Sequence, residues 1–109
     1  NTYILSPRGT PAGGGYATAD DMLKYDNAFR SGKLMGKDYV NFMTNGFRGN
    51  IGDPVARLGV SRGAGGAPGI SSVFARDNKN GYTIILLTNV DNPVAIEIGN
   101  DIIRILGLE

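Results

Sequence analysis

The run Gly63-Ala64-Gly65-Gly66-Ala67-Pro68-Gly69 constrains this chain more than any other stretch. Glycine loses more conformational freedom on ordering than any other residue, and proline has no N–H to give to a ladder. The run therefore reads as a tight turn between strands, and regular structure is not expected within it. It lies in the second half of the chain, where the character changes from helical periodicity to mostly strand-like patterning from Val55 on.

The opening stretch, Asn1 to Tyr16, reads as loop, because Ser6-Pro7-Arg8-Gly9-Thr10-Pro11 and Gly13-Gly14-Gly15 show no periodicity. A helix is expected next. Thr18 is its N-cap with Asp21 three residues on, Asp20 and Asp21 complement the dipole of the first turn, and Met22, Tyr25 and Phe29 recur on one face. Gly32 is its stop. A second short helix is expected from about Lys37 to Thr44, closed by Asn45-Gly46, and Gly46 to Pro54 reads as an irregular surface segment.

Val55 to Arg62 reads as a strand, and so does Ile70 to Arg76 beyond the glycine run. Asp77-Asn78-Lys79-Asn80-Gly81 is rich in residues that tolerate positive φ, and it separates that strand from Tyr82 to Thr88, a hairpin signal. The apolar centre of the last strand predicts cover on both of its faces. A terminal helix follows, with Asn92 as cap, Pro93 in the first position, and Val94, Ile98, Ile102 and Ile105 as the buried stripe. Glu97, Asp101 and Arg104 lie away from that stripe, and Gly107 ends the helix. The fold class is α+β, an antiparallel sheet of three strands flanked by helices.

Composition narrows the chemistry. The 11 basic and 10 acidic residues leave a net charge of +1 spread evenly along the chain, so neither nucleic acid nor an acidic membrane surface is an expected partner. The longest apolar run, Ile84 to Leu87, is far too short to span a bilayer, and no membrane insertion is expected. The chain holds no cysteine and no histidine, which removes thiolate nucleophiles, imidazole and thiolate metal ligands and any Ser-His-Asp triad. No metal and no cofactor are expected. With 17 glycines and 5 prolines in 109 residues, the core is expected to be modest.

Several short patterns fit chemistry by letter and not by context. Gly59-Val60-Ser61-Arg62-Gly63 matches the G-x-S-x-G elbow, yet a glycine run follows where a helix should start, and no histidine is present to act as base. Tyr25-Asp26-Asn27 and Tyr39-Val40-Asn41 each fit a Y-x-N pattern but fall inside expected helices. The glycine run lacks the spacing of either phosphate-binding loop.

Three segments taken in order resemble the class C β-lactamase-like serine hydrolases, a group that includes penicillin-binding proteins, D-alanyl-D-alanine carboxypeptidases and esterases. They are Pro11-Ala12-Gly13-Gly14-Gly15-Tyr16-Ala17-Thr18-Ala19-Asp20-Asp21-Met22, then Gly63 to Ser72, then Asn80-Gly81-Tyr82 through Leu87-Thr88-Asn89. Gly32-Lys33-Leu34-Met35 and the terminal helix also fit. The resemblance extends over nearly the whole chain and is weakest from Thr44 to Ser61.

It implies the carboxyl-terminal part of a β-lactamase/transpeptidase-like fold, one partial domain with a loop and two helices in 1–54 and three strands and a helix in 55–109. It implies acyl transfer to a serine in S-x-x-K, acting on a β-lactam, a D-Ala-D-Ala peptide or an ester, with a lysine and a tyrosine managing the proton. The third motif of the family, K-T-G or H-x-G, falls on Gly63, Ala64 and Gly65, and the oxyanion amide on Gly66. Two departures stand out. Gly63 replaces the basic or imidazole residue, and no serine in the chain is followed by a lysine three residues later. The chain alone is therefore expected to be inactive, its partner being an amino-terminal part that holds the nucleophile. A catalytically dead binding module on the same scaffold is the alternative. Self-association through uncovered strand edges and helix faces is expected, and the resemblance implies a periplasmic or secreted setting.

Overall fold

The computed structural model describes residues 8–46, 49–53 and 59–108. Among them the order is α1 (Ala19–Arg30), α2 (Lys37–Thr44), β1 (Val60–Ala67), β2 (Ile70–Asp77), β3 (Thr83–Thr88) and α3 (Val94–Ile105). The strands form one antiparallel sheet in the order β1-β2-β3, so the α+β class is observed. The expected loop at 1–7 and the strand residues 55–58 lie outside the described residues.

Local sequence determines α1 at both ends. The Thr18 hydroxyl accepts from the Asp21 N–H at 3.1 Å, and the Asp21 carboxylate accepts in return from the Thr18 N–H at 3.2 Å, a reciprocal capping box. Those bonds from the hydroxyl and N–H of Thr18 hold the Asp21 carboxyl below its usual range. At the other end Gly32 has φ of 76°, and the Gly32 and Lys33 amides turn back to Phe29 and Ala28 at 3.0 Å each, a Schellman closure.

The face α1 buries differs from the expected one. Phe29 is buried and Tyr25 is exposed, while Asp26 is fully buried against the sheet. Its carboxylate accepts from Arg30 Nε at 2.8 Å, from the Thr83 hydroxyl of β3 at 2.5 Å, and from Arg76 Nε of β2. The Arg76 guanidinium lies 4.5 Å from the ring centres of both Phe29 and Phe74. A periodicity argument overlooks Asp26, because a carboxylate enters an apolar face only when partners outside the helix meet it.

The glycine run departs most from expectation, since Gly63 to Ala67 are strand. Each residue has a partner in β2, Gly63 with Phe74, Ala64 with Val73, Gly65 with Ser72, Gly66 with Ser71 and Ala67 with Ile70. Only Pro68-Gly69 turns, with Gly69 at φ of 71°, the value a type II turn needs after proline. Propensity disfavours this strand, but a neighbour held between two others supplies a ladder regardless of what side chains β1 carries. The second hairpin forms as expected. The Asp77 carboxylate accepts from the Lys79 and Asn80 amides at 3.1 and 2.8 Å, and Gly81 takes φ of 81°. Burial raises the Asp77 pKa, but those amide bonds outweigh it and leave the carboxyl below its usual range.

One face of the sheet carries the main core, Val73, Ala75 and Ile84 against Ala95, Ile103 and Leu108. The buried ridge of α3 is thus Ala95, Gly99 and Ile103, and of the expected stripe Ile98 and Ile105 stay exposed. Small residues prevail because they let the helix approach: a Cβ on Gly99 would meet Val73 Cγ1 at 3.4 Å and Leu86 Cδ1 at 3.5 Å. Asn92 does not cap α3; Pro93 occupies the cap position, and the Ala95 N–H is met by the Ser71 hydroxyl of β2 at 3.2 Å. On the other face α1 packs against β3, joined to Thr83 through Asp26, and Leu87 remains half-exposed, so cover on both faces holds for part of the strand.

Asp26→Ala should lower unfolding free energy by roughly 3–5 kcal/mol in urea titrations, because it strands a buried guanidinium. The pH dependence has a definite sign. Burial raises the Asp26 pKa, but the bonds from Thr83, Arg76 and Arg30 outweigh it and hold the group below 3.8. Stability from this group is full above the unfolded value and is lost as pH falls through the folded one. The loss on acidification should shrink in Asp26→Ala; an unchanged acid limb would refute the assignment. Gly99→Ala should raise stability by about 0.5–1 kcal/mol, since the added methyl makes ordinary contacts and alanine favours helix. A lower urea midpoint would contradict that packing.

Candidate functional site

One end of the sheet holds a concavity beside the loop that precedes α1. A cleft of about 510 Å³ separates the loop from Thr10 to Tyr16 from the β1–β2 turn, where Gly65, Gly66, Ala67, Ile70 and Ser72 form its other wall. The loop wall is built from backbone. Thr10 and Gly13 exchange N–H to carbonyl bonds of 2.7 and 3.0 Å, and Gly13 and Gly14 have φ of 144° and 79°. A Cβ on Gly9 would press on the Gly15 backbone at 3.0 Å. Glycine is needed here for the loop to fold on itself.

A shallower hollow of about 340 Å³ continues over the sheet face past Gly63, Gly65, Phe74 and Leu87. The structure thus brings Gly63, Ala64, Gly65 and Gly66 together along one strand edge, with Gly65 and Gly66 at the cleft.

The ladder determines which amides are free. In an antiparallel pair, alternate residues direct N–H and C=O toward the partner and away from it. The residues flanking a two-residue turn, Ala67 and Ile70, belong to the bonded set. At the other end of the hairpin the Asn78 amide donates to the Gly59 carbonyl at 3.3 Å, the same parity. Residues 59, 61, 63, 65 and 67 therefore face β2, and the Gly66 N–H points to the outer edge of β1, which no other strand among the described residues borders. The end of the exposed Asn92 side chain occupies the space where a Gly66 Cβ would lie, so a larger residue at this position would make Asn92 turn aside.

The chemistry available at the cleft is limited. Among the described residues its walls carry the hydroxyl-bearing Thr10, Tyr16 and Ser72 and no charged residue. Ser72 donates a long 3.4 Å bond to the Gly65 carbonyl, and Ser71 is fully buried between Thr88, at 2.9 Å, and the Ala95 amide. Ser61 is the second residue of β1, opposite Arg76, with strand rather than helix after it, so the G-x-S-x-G match forms no elbow. Tyr25 and Tyr39 sit on α1 and α2 as expected, Tyr25 stacked on Phe29 at 6.4 Å. No group of three histidine, cysteine or carboxylate residues is placed to hold a metal among the described residues. Nor is any helix among them long and apolar enough to cross a membrane.

Comparison with protein-family models, curated proteins and solved structures finds no match to this chain. The sequence alone does not disclose the role of Asn92, because its contact with Gly66 joins residues 26 positions apart through a turn, two strands and a loop.

Gly66→Ala should destabilise the chain by about 0.5–1.5 kcal/mol, the cost of pushing Asn92 from its rotamer. In an Asn92→Ala background the same change should have much less effect. Additive effects in this double-mutant cycle would show that the two residues do not touch.

Proposed function

We propose that this chain is the carboxyl-terminal part of a β-lactamase-like serine hydrolase, in which Gly66 lends a main-chain N–H to the oxyanion of acyl transfer. On this reading the nucleophilic serine and its lysine come from sequence amino-terminal to the chain. The serine hydroxyl adds to the substrate carbonyl and loses its proton to the lysine–tyrosine pair. The carbonyl oxygen becomes the oxyanion facing Gly66, the leaving group departs protonated, and water releases the acyl group.

The observation that carries the reading is the Gly66 N–H at the outer edge of β1, opening on a cleft whose other wall is the Pro11 to Tyr16 segment. Two segments that the family resemblance picks out are far apart in sequence and form the two sides of one concavity. The half-exposed Leu87 and the exposed Ile98 and Ile105 are then surface that upstream elements cover, or that a second copy covers in the isolated chain.

A second reading, a catalytically inactive binding module on the same scaffold, is favoured by Gly63 and by the uncharged cleft walls. The two readings part on the upstream coding sequence, which carries S-x-x-K and a true Y-x-N in the first case and neither in the second.

The 109-residue chain alone should not turn over nitrocefin or p-nitrophenyl acetate. Turnover above background that persists in Ser61→Ala, Ser71→Ala and Ser72→Ala variants would require another nucleophile and overturn the assignment. In a longer protein with S-x-x-K, deleting the Gly66 donor with Gly66→Pro in an Asn92→Ala background should lower kcat by about 10²–10³ relative to Asn92→Ala alone. An unchanged kcat would remove Gly66 from the mechanism.

A further inference from the structure

The β3–α3 loop touches the β1–β2 turn at two points, and both bear on Gly66. The Asp91 carboxylate accepts from the Gly69 N–H at 2.6 Å, across 22 residues of sequence. The Asn92 side chain lies against the α-carbon of Gly66, on the same sheet face as α3. A polar seam beneath them links the same elements. The Thr88 hydroxyl meets the Ser71 hydroxyl at 2.9 Å, and the Ser71 hydroxyl accepts the Ala95 N–H that begins α3.

From these contacts we propose that Asp91 and Asn92 are positioning residues, which clamp the Pro68-Gly69 turn and hold the Gly66 N–H in a fixed direction at the sheet edge. The inference rests on the reading of Gly66 as an oxyanion donor. β1 needs such a clamp. Among the described residues its outer edge has no neighbouring strand, and from Gly63 to Ala67 no side chain is larger than a methyl group to pack it in place. A donor serves a developing anion only if its direction is fixed before the charge appears. Asp91 anchors the turn by a charge-assisted bond, the stronger kind of main-chain anchor, and Asn92 limits motion of Gly66 from the α3 side.

The test is amide relaxation measured by NMR on the full chain, with urea unfolding as control. Asp91→Ala should lower the order parameters of Gly66 and Gly69 from about 0.85 toward about 0.6, with Gly63 unchanged. Asp91→Asn keeps a side-chain oxygen acceptor and should restore them, and Asn92→Ala should loosen Gly66 more than Gly69. Order parameters at Gly66 that stay the same in all three variants would overturn the clamp. So would a uniform loosening of all three strands with a lowered urea midpoint, because it would indicate a general structural role. This readout needs no turnover, so it separates the clamp from the hydrolase reading. In a longer active protein, a loosened Gly66 with unchanged kcat would keep the clamp and remove the oxyanion role. A loss of about 10²-fold in kcat with KM unchanged, recovered in Asp91→Asn, would support both.

Discussion

The buried carboxylate of Asp26 is the interaction on which the arrangement of this chain depends. A charge out of water is stable only when its partners are preassembled, and here they come from α1, β2 and β3 at once: Arg30, Arg76 and Thr83. The cluster pins α1 over one end of the sheet, where Arg76 also lies between Phe29 and Phe74. The partners sit at the Thr83 end, and at the end where β3 finishes Leu87 is left half-exposed. That second end is where the cleft opens. The stabilising contact thus lies at the end of the sheet opposite the concavity.

The position of the free amide follows from the hairpin. A two-residue turn closed by Ala67 and Ile70 assigns the bonded parity to odd-numbered residues of β1, and Gly66 falls outside that set. A one-residue change in turn length would reverse that parity and direct the Gly66 N–H into the ladder. Pro68 and Gly69 suit a type II turn at this length, so two residues outside the cleft chemistry determine which main-chain donors reach it.

Much of the architecture was legible in local sequence, because local interactions decide it. The Thr18–Asp21 capping box, the Gly32 closure, α2 and the Asp77 to Gly81 turn each rest on contacts within a few residues. What was not legible depends on distant partners. Gly63 to Ala67 is strand because β2 offers a ladder, against the preference of its own residues. The buried ridge of α3 runs through Ala95 and Gly99 because close approach to Val73 and Leu86 outweighs the size of Ile98 and Ile105. Asp26 lies in the interior because two arginines meet it there. The same rule holds at the candidate site, where the segments were recognisable and the contact between Asn92 and Gly66 was not.

The three glycines of the β1 edge differ in what makes each a glycine. A Cβ on Gly66 would meet the end of the exposed Asn92 side chain, which would have to turn aside. Gly65 has little room, since a Cβ there would lie 3.0 Å from the Ser72 hydroxyl. Gly63 has nothing within 4 Å and an extended backbone that any residue adopts, so packing does not require glycine there. Strand alternation places Arg62 on the opposite face, where it bonds Asn100 of α3 at 2.6 Å, so it cannot stand in for a side chain at 63. Close contacts therefore bear on the residues that frame the free amide and not on the residue that would place a charge beside it. At the cleft, the edge of β1 offers main-chain donors and acceptors without an ionised group, and any anion stabilised there depends on how rigidly those amides are held.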